Sequence, residues 1–338
     1  MDAMSEEAKA VGKGWSVADI PWQVGRRAVI TGGNSGIGYR TGLELARKGA
    51  NVVLACRDRD RGDAAAAQIR AQAPQACVEV AQLNLASLTS VWAFAQAELA
   101  LGAPLDLLIN NAGVLAPKTR LETEEGFELQ FGTNVLGHFA LTMLLMPALE
   151  RAVQSPAQKP RVVTIASIAH RRGRLNFDDL QSAKGYSPMG AYRQSKLANL
   201  MFALELARRL RDAGPPKQGI MSVAAHPGVA NTRLFRVGQF NPIERLVRKG
   251  VGAAIGALLN SEAQGAVPTL FAAVSPEVVD GGYYGPQGMD EMRGGDAGPA
   301  KVSANALDEA AAARLWSECE RLTGTSLGMA SSGALRGA

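Results

Sequence analysis

The chain has 338 residues, 47% of them apolar and 20% charged, enough for one large domain or two ordinary ones. Its net charge of +5 comes from 36 basic against 31 acidic residues and aromatics make up 5%, which excludes the concentrated basic, aromatic-rich stripe of a nucleic-acid binder. Cys56, Cys77 and Cys319 form no CxxC pair, so neither a metal site nor a disulfide framework is expected and a cytoplasmic setting is.

Residues 1–24 read as a loosely ordered arm pinned by Trp15, Ile20 and Trp22. The start is charged and polar and lacks the apolar stretch of a secretory leader. VGAAIGALL is the longest apolar run, about half of the ~18 residues a bilayer span needs, so no transmembrane segment is expected. From residue 25 onward, short apolar runs alternate with helical ones. RRAVIT is followed by a helix through Gly49, NVVLAC by RDRDRGDAAAAQIRAQ, and CVEVAQLNL by SLTSVWAFAQAELA. LDLLINNAG leads into FELQFGTNVLGHFALTMLLMPALE, RVVTIAS into AYRQSKLANLMFALELARRL, and IMSVAAHPG comes next. Continuous apolar runs of this length read as strands buried on both faces, and the helices between them as parallel crossovers. The expected fold is α/β: a single Rossmann-type doubly wound parallel sheet of about seven strands flanked by helices. SEAQGA restarts a helix with Ser261 and Gln264 at capping-box spacing. Residues 25–323 are read as one domain with a small helical lid insertion at about 233–260, and 324–338 as a flexible tail.

Between RRAVI and the first helix stands TGGNSGIGY. A strand, a tight glycine turn and a helix N-terminus make an anion site, because the first-turn N–H groups lack intrahelical partners and the helix dipole favours negative charge. Gly32, Gly36 and Gly38 leave that backbone open to a pyrophosphate, with Asn34, Ser35 and Ile37 between them. The spacing G-x-x-x-G-x-G differs from the G-x-G-x-x-G fingerprint, and a turn packed closely between strand and helix would use glycines as well. The next strand narrows the choice of nucleotide. A dinucleotide site places an acidic residue near its end for the ribose 2′-OH. NVVLACRD puts Arg57 there, with Asp58 directly after it, and a guanidinium fork suits a 2′-phosphate. NADP(H) is thereby favoured over NAD(H); the other reading of Arg57 is a solvated charge at a strand end.

AYRQSK carries Tyr192 and Lys196 on one helix face. A free phenol is a poor base near neutrality. An ammonium beside it stabilises the phenolate, giving the proton donor and acceptor that carbonyl reduction needs. Alone, the pair also fits an exposed helix face. Taken in order, however, TGGNSGIG, NNAG (Asn110–Gly113), Asn134 in FGTNVLGHF, Ser167 in VVTIASIAH, AYRQSK and HPGVANT make a series. Over roughly residues 25–290 the chain resembles the short-chain dehydrogenase/reductase family. ACRD, SIAH, the long stretch before YRQSKLAN, and HPG resemble its retinol-dehydrogenase-like and protochlorophyllide-reductase-like branch.

That resemblance implies a catalytic tetrad. Tyr192 would pass a proton to a carbonyl oxygen or take it from an alcohol, and Ser167 would hydrogen-bond the same oxygen. Lys196 would hold the nicotinamide ribose and tune the tyrosine, while Asn134 would position a water linking Lys196 to solvent. Hydride would pass between the substrate carbon and nicotinamide C4. Asn84 and Leu85 would border the adenine. Asn110, Asn111, Ala112 and Gly113 would end the fourth strand against the adenosine ribose. Pro227, Gly228 and Val229 would lie beside the nicotinamide, with Thr232 reaching its carboxamide or the phosphates. Ser35 stands where many NADP-preferring relatives carry a basic residue, leaving Arg57 as the main 2′-phosphate partner.

The expected substrate is a small hydrophobic carbonyl or alcohol, walled by SIAHRRGRLNFDDLQSAKGYSPMG and RLFRVGQFNPIERLVRKGVG. Phe235, Phe240, Ile243 and Leu246 suit either an apolar ligand or packing of the lid. Arg233, Arg236, Arg245, Arg248 and Lys249 suit a solvated face or weak peripheral contact with an anionic membrane. His138 and His226 are read as structural, and His170 with Arg171, Arg172 and Arg174 as a wet loop. The family's dimer seam would use NVLGHFALTMLLMPALE and SKLANLMFALELARRL. Both are apolar over most of their circumference, and a homodimer or homotetramer is expected. Two other readings share these residues: a C=C reductase on the same fold, and an NADP(H)-binding interaction protein without turnover. The complete Ser167–Tyr192–Lys196 set argues against the latter.

Overall fold

In a computed structural model, which describes residues 14–154, 158–229 and 260–328, each apolar run read as a strand is one. The strands are β1 (Arg27–Thr31), β2 (Asn51–Cys56), β3 (Val78–Gln82), β4 (Leu107–Asn110), β5 (Arg161–Ile165) and β6 (Met221–Ala225). Two more, β7 (Tyr283–Gly288) and β8 (Arg293–Pro299), complete a sheet of order β3-β2-β1-β4-β5-β6-β7-β8. All pairings are parallel except β7 with β8. The longer helices among the described residues are α1 (Gly36–Arg47), α2 (Arg59–Gln72), α3 (Leu88–Ala100), α4 (Gly137–Ala152), α5 (Pro188–Asp212), α6 (Glu262–Val274) and α7 (Glu309–Thr323).

Alternate strand residues feed two cores. Val29, Val53, Leu108 and Val162 pack against α3, α4, α5 and α7, whereas Ile30, Leu54, Ile109 and Val163 pack against α1, α2 and α6. Strands covered on both faces must be apolar throughout, which is why the runs show no alternation. Strand order reverses between β1 and β4, and a doubly wound sheet opens its ligand crevice at the carboxyl ends of such a pair. The capping box at Ser261 and Gln264 starts α6 as expected, closed by bonds of 3.0 and 3.2 Å.

The structure departs from, or adds to, the sequence expectation in several places. The β7–β8 edge is written in YYGPQG and RGGDAGP, which lack strand-like composition; a Cβ on Gly285 would collide with the His226 ring, so close packing requires the glycine. The segment Leu129–Ala152 is, by length and mean hydropathy (1.3), apolar enough to cross a membrane, but 94% of that window is buried inside the protein. It is a core helix, with a π-helical stretch at Gly132–Leu136 ahead of α4. The apolar faces of α4 and α5 expected to meet a second copy are covered by α7. Trp316 packs onto the touching pair Phe139 and Phe202, at ring separations of 5.0 and 5.9 Å. Finally, Trp15 and Ile20 are buried, Trp15 against Phe271 at 5.3 Å, but Trp22 is 73% exposed under the Lys48 ammonium. The first residues of the supposed tail are docked, Thr325 being 1% exposed. Thr232, most of the expected lid (233–259) with its phenylalanines and basic residues, and 329–338 lie outside the described residues.

Candidate active site

β1 delivers Thr31 to the crevice. Its hydroxyl accepts the N–H groups of Asn111 and Ala112, both at 2.9 Å, and Asn111 Nδ2 donates to the Thr31 carbonyl at 2.8 Å. The turns after β1 and β4 are thus one hydrogen-bonded unit. His138 joins them to α4. Its Nδ1 lies 3.0 Å from the Asn134 carbonyl, which can only accept, so Nδ1 carries the proton and Nε2 accepts from Thr31 Oγ1 at 2.9 Å. Burial holds this imidazole down at about 4, so it is neutral.

Gly32 (φ +65°) and Gly36 (φ +60°) turn left-handed, a conformation that disfavours a side chain. At Gly38 the constraint is space: a Cβ would sit 2.5 Å from Asn111 Nδ2 and 2.6 Å from Gly32 O. Ser35 occupies the N-cap of α1 but makes no side-chain capping bond. A helix N-terminus without a side-chain cap, flush with a glycine turn, fits a pyrophosphate.

Across the crevice, α5 begins at Ser187, whose side chain caps Gly190 N–H at 3.3 Å, and carries Tyr192 and Lys196. Lys196 Nζ is buried and donates to Ile165 O at 2.8 Å; desolvation pulls its pKa down to about 8. It lies 5.9 Å from the centre of the Tyr192 ring. Burial raises the Tyr192 phenol above its ordinary value, and a hydrogen bond with Ser167 works the other way. Desolvation dominates, and the group that lowers the phenol is Ser167 rather than the lysine. Asn134, fully buried in the π-helical stretch, has each side-chain polar atom committed: Oδ1 to Val114 N (2.8 Å), Nδ2 to Val114 O (3.1 Å) and Ser195 Oγ (3.0 Å). It braces the chain after β4 against α5, rather than leaving its amide free for a water.

These groups meet in a crevice of about 420 Å³. Of the residues singled out in the sequence, Gly32, Asn34, Ser35, Gly36, Ile37, Gly38, Asn111, Ala112, Gly113, Ser167, Tyr192, Lys196, Pro227, Gly228 and Val229 line it. Ile168, Ala169 and Met189, from the expected substrate-wall segment 167–190, line it as well; Leu115 also does and was not anticipated, its only signal being an apolar side chain beside a motif residue. Asn84 and Leu85 do not line it: the Asn84 amide accepts from Ala86 N at 3.2 Å on the approach to α3, and Leu85 is buried. Arg57 stands exposed at the end of β2, with no hydrogen-bond or ion-pair partner among the described residues. Asp58, its acidic neighbour, is already occupied in capping α2 through Arg61 N at 3.0 Å.

The doubly wound sheet and its switch-point crevice define the class, a Rossmann-type α/β oxidoreductase. The comparisons with known proteins narrow it. The short chain dehydrogenase family matches residues 26–239. The polyprenol dehydrogenase of Mus musculus is 42% identical, with 90% of this chain and 86% of that protein covered. Human retinol dehydrogenase 13 is 39% identical over 91% of this chain and 87% of its own length. Among solved structures, an uncharacterized protein from Mycobacterium paratuberculosis is 39% identical, with a TM-score of 0.73 over 94% of this chain and all of that one. The Pseudomonas aeruginosa RhlG/NADP complex is 25% identical, with a TM-score of 0.57 over 77% of this chain and 94% of that one. The chain belongs to the short-chain dehydrogenase/reductase family, in its retinol-dehydrogenase-like branch.

Proposed function

We propose that the protein is an NADP(H)-dependent oxidoreductase that interconverts a hydrophobic alcohol and its aldehyde or ketone. The observation that carries this reading is the convergence of Ser167, Tyr192 and Lys196 on the crevice whose opposite wall is the glycine turn. The relatives named as polyprenol and retinol dehydrogenases support an apolar primary alcohol, as do Leu115, Ile168, Ala169 and Met189 around Tyr192.

The first turn of α1 would hold the pyrophosphate, and Arg57, with Asp58 turned to its cap, would hold a 2′-phosphate. Bound there, the nicotinamide supplies the hydride acceptor or donor that no side chain provides. Ser167 and Tyr192 would share the substrate oxygen, each through its hydroxyl. The phenol, favoured in its protonated form by burial, would donate to the oxygen in reduction, and the phenolate so formed would be the group that takes the proton back in oxidation. Lys196, anchored by the Ile165 carbonyl, keeps an ammonium near the phenol and would hold a ribose hydroxyl of the nucleotide. Asn134 and His138 keep the two turns and α5 in register.

The test is cofactor turnover by the purified chain with NADPH or NADH against retinal, shorter and longer aldehydes, and ketones. NADPH should be preferred and the apolar aldehydes should be fastest. Tyr192→Phe should lower kcat by about 10²–10⁴ while NADPH still binds; full-rate turnover by that variant would remove Tyr192 from the chemistry.

A further inference from the structure

Behind the crevice, one carboxylate joins two loops that end on it. Glu291 lies in the turn between β7 and β8, and its side chain is 10% exposed. Its Oε2 accepts from Arg171 Nη2 at 2.6 Å and from His226 Nε2 at 3.2 Å, and its Oε1 accepts from Lys301 N at 3.0 Å. The direction at His226 is fixed by its other nitrogen. Gly228 N donates to Nδ1 at 3.2 Å, so Nδ1 is bare and Nε2 carries the proton toward the carboxylate.

Each partner belongs to a different wall segment. Arg171 sits in the short turn Ile168–Arg172, which begins at Ser167. His226 directly follows β6 and, through Gly228 N, sets the Pro227–Val229 turn; Val229 N is held in addition by Met292 O at 2.8 Å, one residue beyond Glu291. The main chain accepts an unfavourable conformation to place the carboxylate there. Met289, Asp290 and Glu291 all have positive φ (46°, 52° and 63°), though none is glycine. Such a run persists only where surrounding contacts over-determine it, and it gathers at functional sites. A buried ion pair is weak evidence for stability by itself. Here its geometry matters more than its energy, because one group spans two loops that are remote in sequence.

We propose that Glu291 is a positioning residue: it sets the Ser167 loop against the Pro227–Val229 loop, and so fixes where the substrate oxygen sits relative to the nicotinamide. It does not line the crevice. The catalytic consequence rests on the function proposed above; the mechanical coupling of the two loops does not.

Two measurements on the full chain separate these layers. The first is amide hydrogen exchange of the ligand-free protein, comparing wild type, Glu291→Ala, Glu291→Gln and Lys301→Ala, the last removing only the exposed pair with Asp290. Loss of the carboxylate should speed exchange in 168–172 and at Gly228 and Val229 together, by about tenfold, with β4 and β5 unchanged. Lys301→Ala should change neither loop. If Glu291→Ala does not fold, the isosteric Glu291→Gln should show the same paired loosening. Loosening of one loop alone, of neither, or of the core equally in the folded variant overturns the coupling.

The second is turnover of retinal with NADPH deuterated at the transferred position. Glu291→Gln should lower kcat by about tenfold, leave the KM for NADPH within about threefold, and raise the isotope effect on kcat, because misplacement slows the chemical step itself. Unchanged kcat and isotope effect, with both loops loosened, would overturn the positioning role. If wild type turns over no carbonyl at all, the proposed function falls, while the exchange result still decides the coupling.

Discussion

On the cofactor-facing wall of the crevice the main chain turns left-handed at Gly32 and Gly36; in the turn that backs the opposite wall it does so at Met289, Asp290 and Glu291. The first wall removes side chains so that an anion can reach bare N–H groups. The second keeps its side chains and uses them: Glu291 clamps Arg171 and His226, and Asp290 pairs with Lys301 at 2.8 Å. A wall that presents backbone to a cofactor needs conformational freedom without bulk. A wall that must hold separate loops needs bulk and charge, and tolerates strained backbone to have them. The two walls should therefore respond differently to the same kind of substitution.

The largest difference is expected at Gly38. Its missing Cβ leaves α1 in contact with both the Gly32 carbonyl and the Asn111 amide. Gly38→Ala has a backbone oxygen, not a flexible side-chain end, to displace. Overpacking of this kind costs about 1–3 kcal/mol of stability, and the displaced helix end should also lose about 100-fold in NADPH affinity, read by fluorescence titration and thermal melting. Wild-type affinity in the variant would show that the α1 terminus is not the phosphate cradle.

The α5 side of the crevice is tested next, at Lys196, which lies outside the Glu291 cluster. Desolvation holds this ammonium at about 8, against an ordinary 10.5. Between those values the unfolded chain binds more protons than the folded one, so this group's contribution to stability rises with pH across the window; below about 8 its full burial penalty is present. Lys196→Met removes the titration. The stability of the variant relative to wild type, read by thermal melting, should be highest below pH 8 and should fall as pH rises toward 10.5, over a range on the order of 3 kcal/mol. A difference that stays flat would mean that the lysine is not desolvated as the structure places it.

The two walls also differ in how far the sequence announces them. The glycine turn, the strand runs and the Tyr192–Lys196 pair are local: their signal is complete within a few residues, and periodicity or spacing exposes it. The charged wall is assembled from residues 65 and 120 positions apart. No window contains both partners, and His226 and Arg171 each read as unremarkable on their own. The β7–β8 hairpin was illegible for a related reason, since glycines and prolines there answer to neighbours such as the His226 ring rather than to strand propensity. The apolar girth of α4 and α5 was legible as a demand for cover, but not as to what supplies it. Only the folded chain shows Trp316 filling that place. Asn134 could be found by motif, yet its commitment to Val114 and Ser195 depends on a π-helical turn that no pattern of side chains announces.

The smallest effect gives the sharpest contrast, because it should differ in sign between the walls. Gly32→Ala puts a side chain at φ +65°, 3.1 Å from the Ala112 backbone, and the left-handed penalty of roughly 1–2 kcal/mol should appear as lost stability. Met289→Gly does the reverse. Met289 is at φ +46° and its side chain is 58% exposed, so little packing is lost when it is trimmed. Relief of the strain is offset in part by the greater freedom glycine gives the unfolded chain, leaving a net gain of about 0.5–1 kcal/mol in chemical denaturation. Glu291 and its partners are untouched, so kcat should stay at the wild-type value. If Met289→Gly destabilises the protein as much as Gly32→Ala does, the left-handed turn is not strained, and the distinction between a wall of bare backbone and a wall of clamped side chains loses its energetic basis.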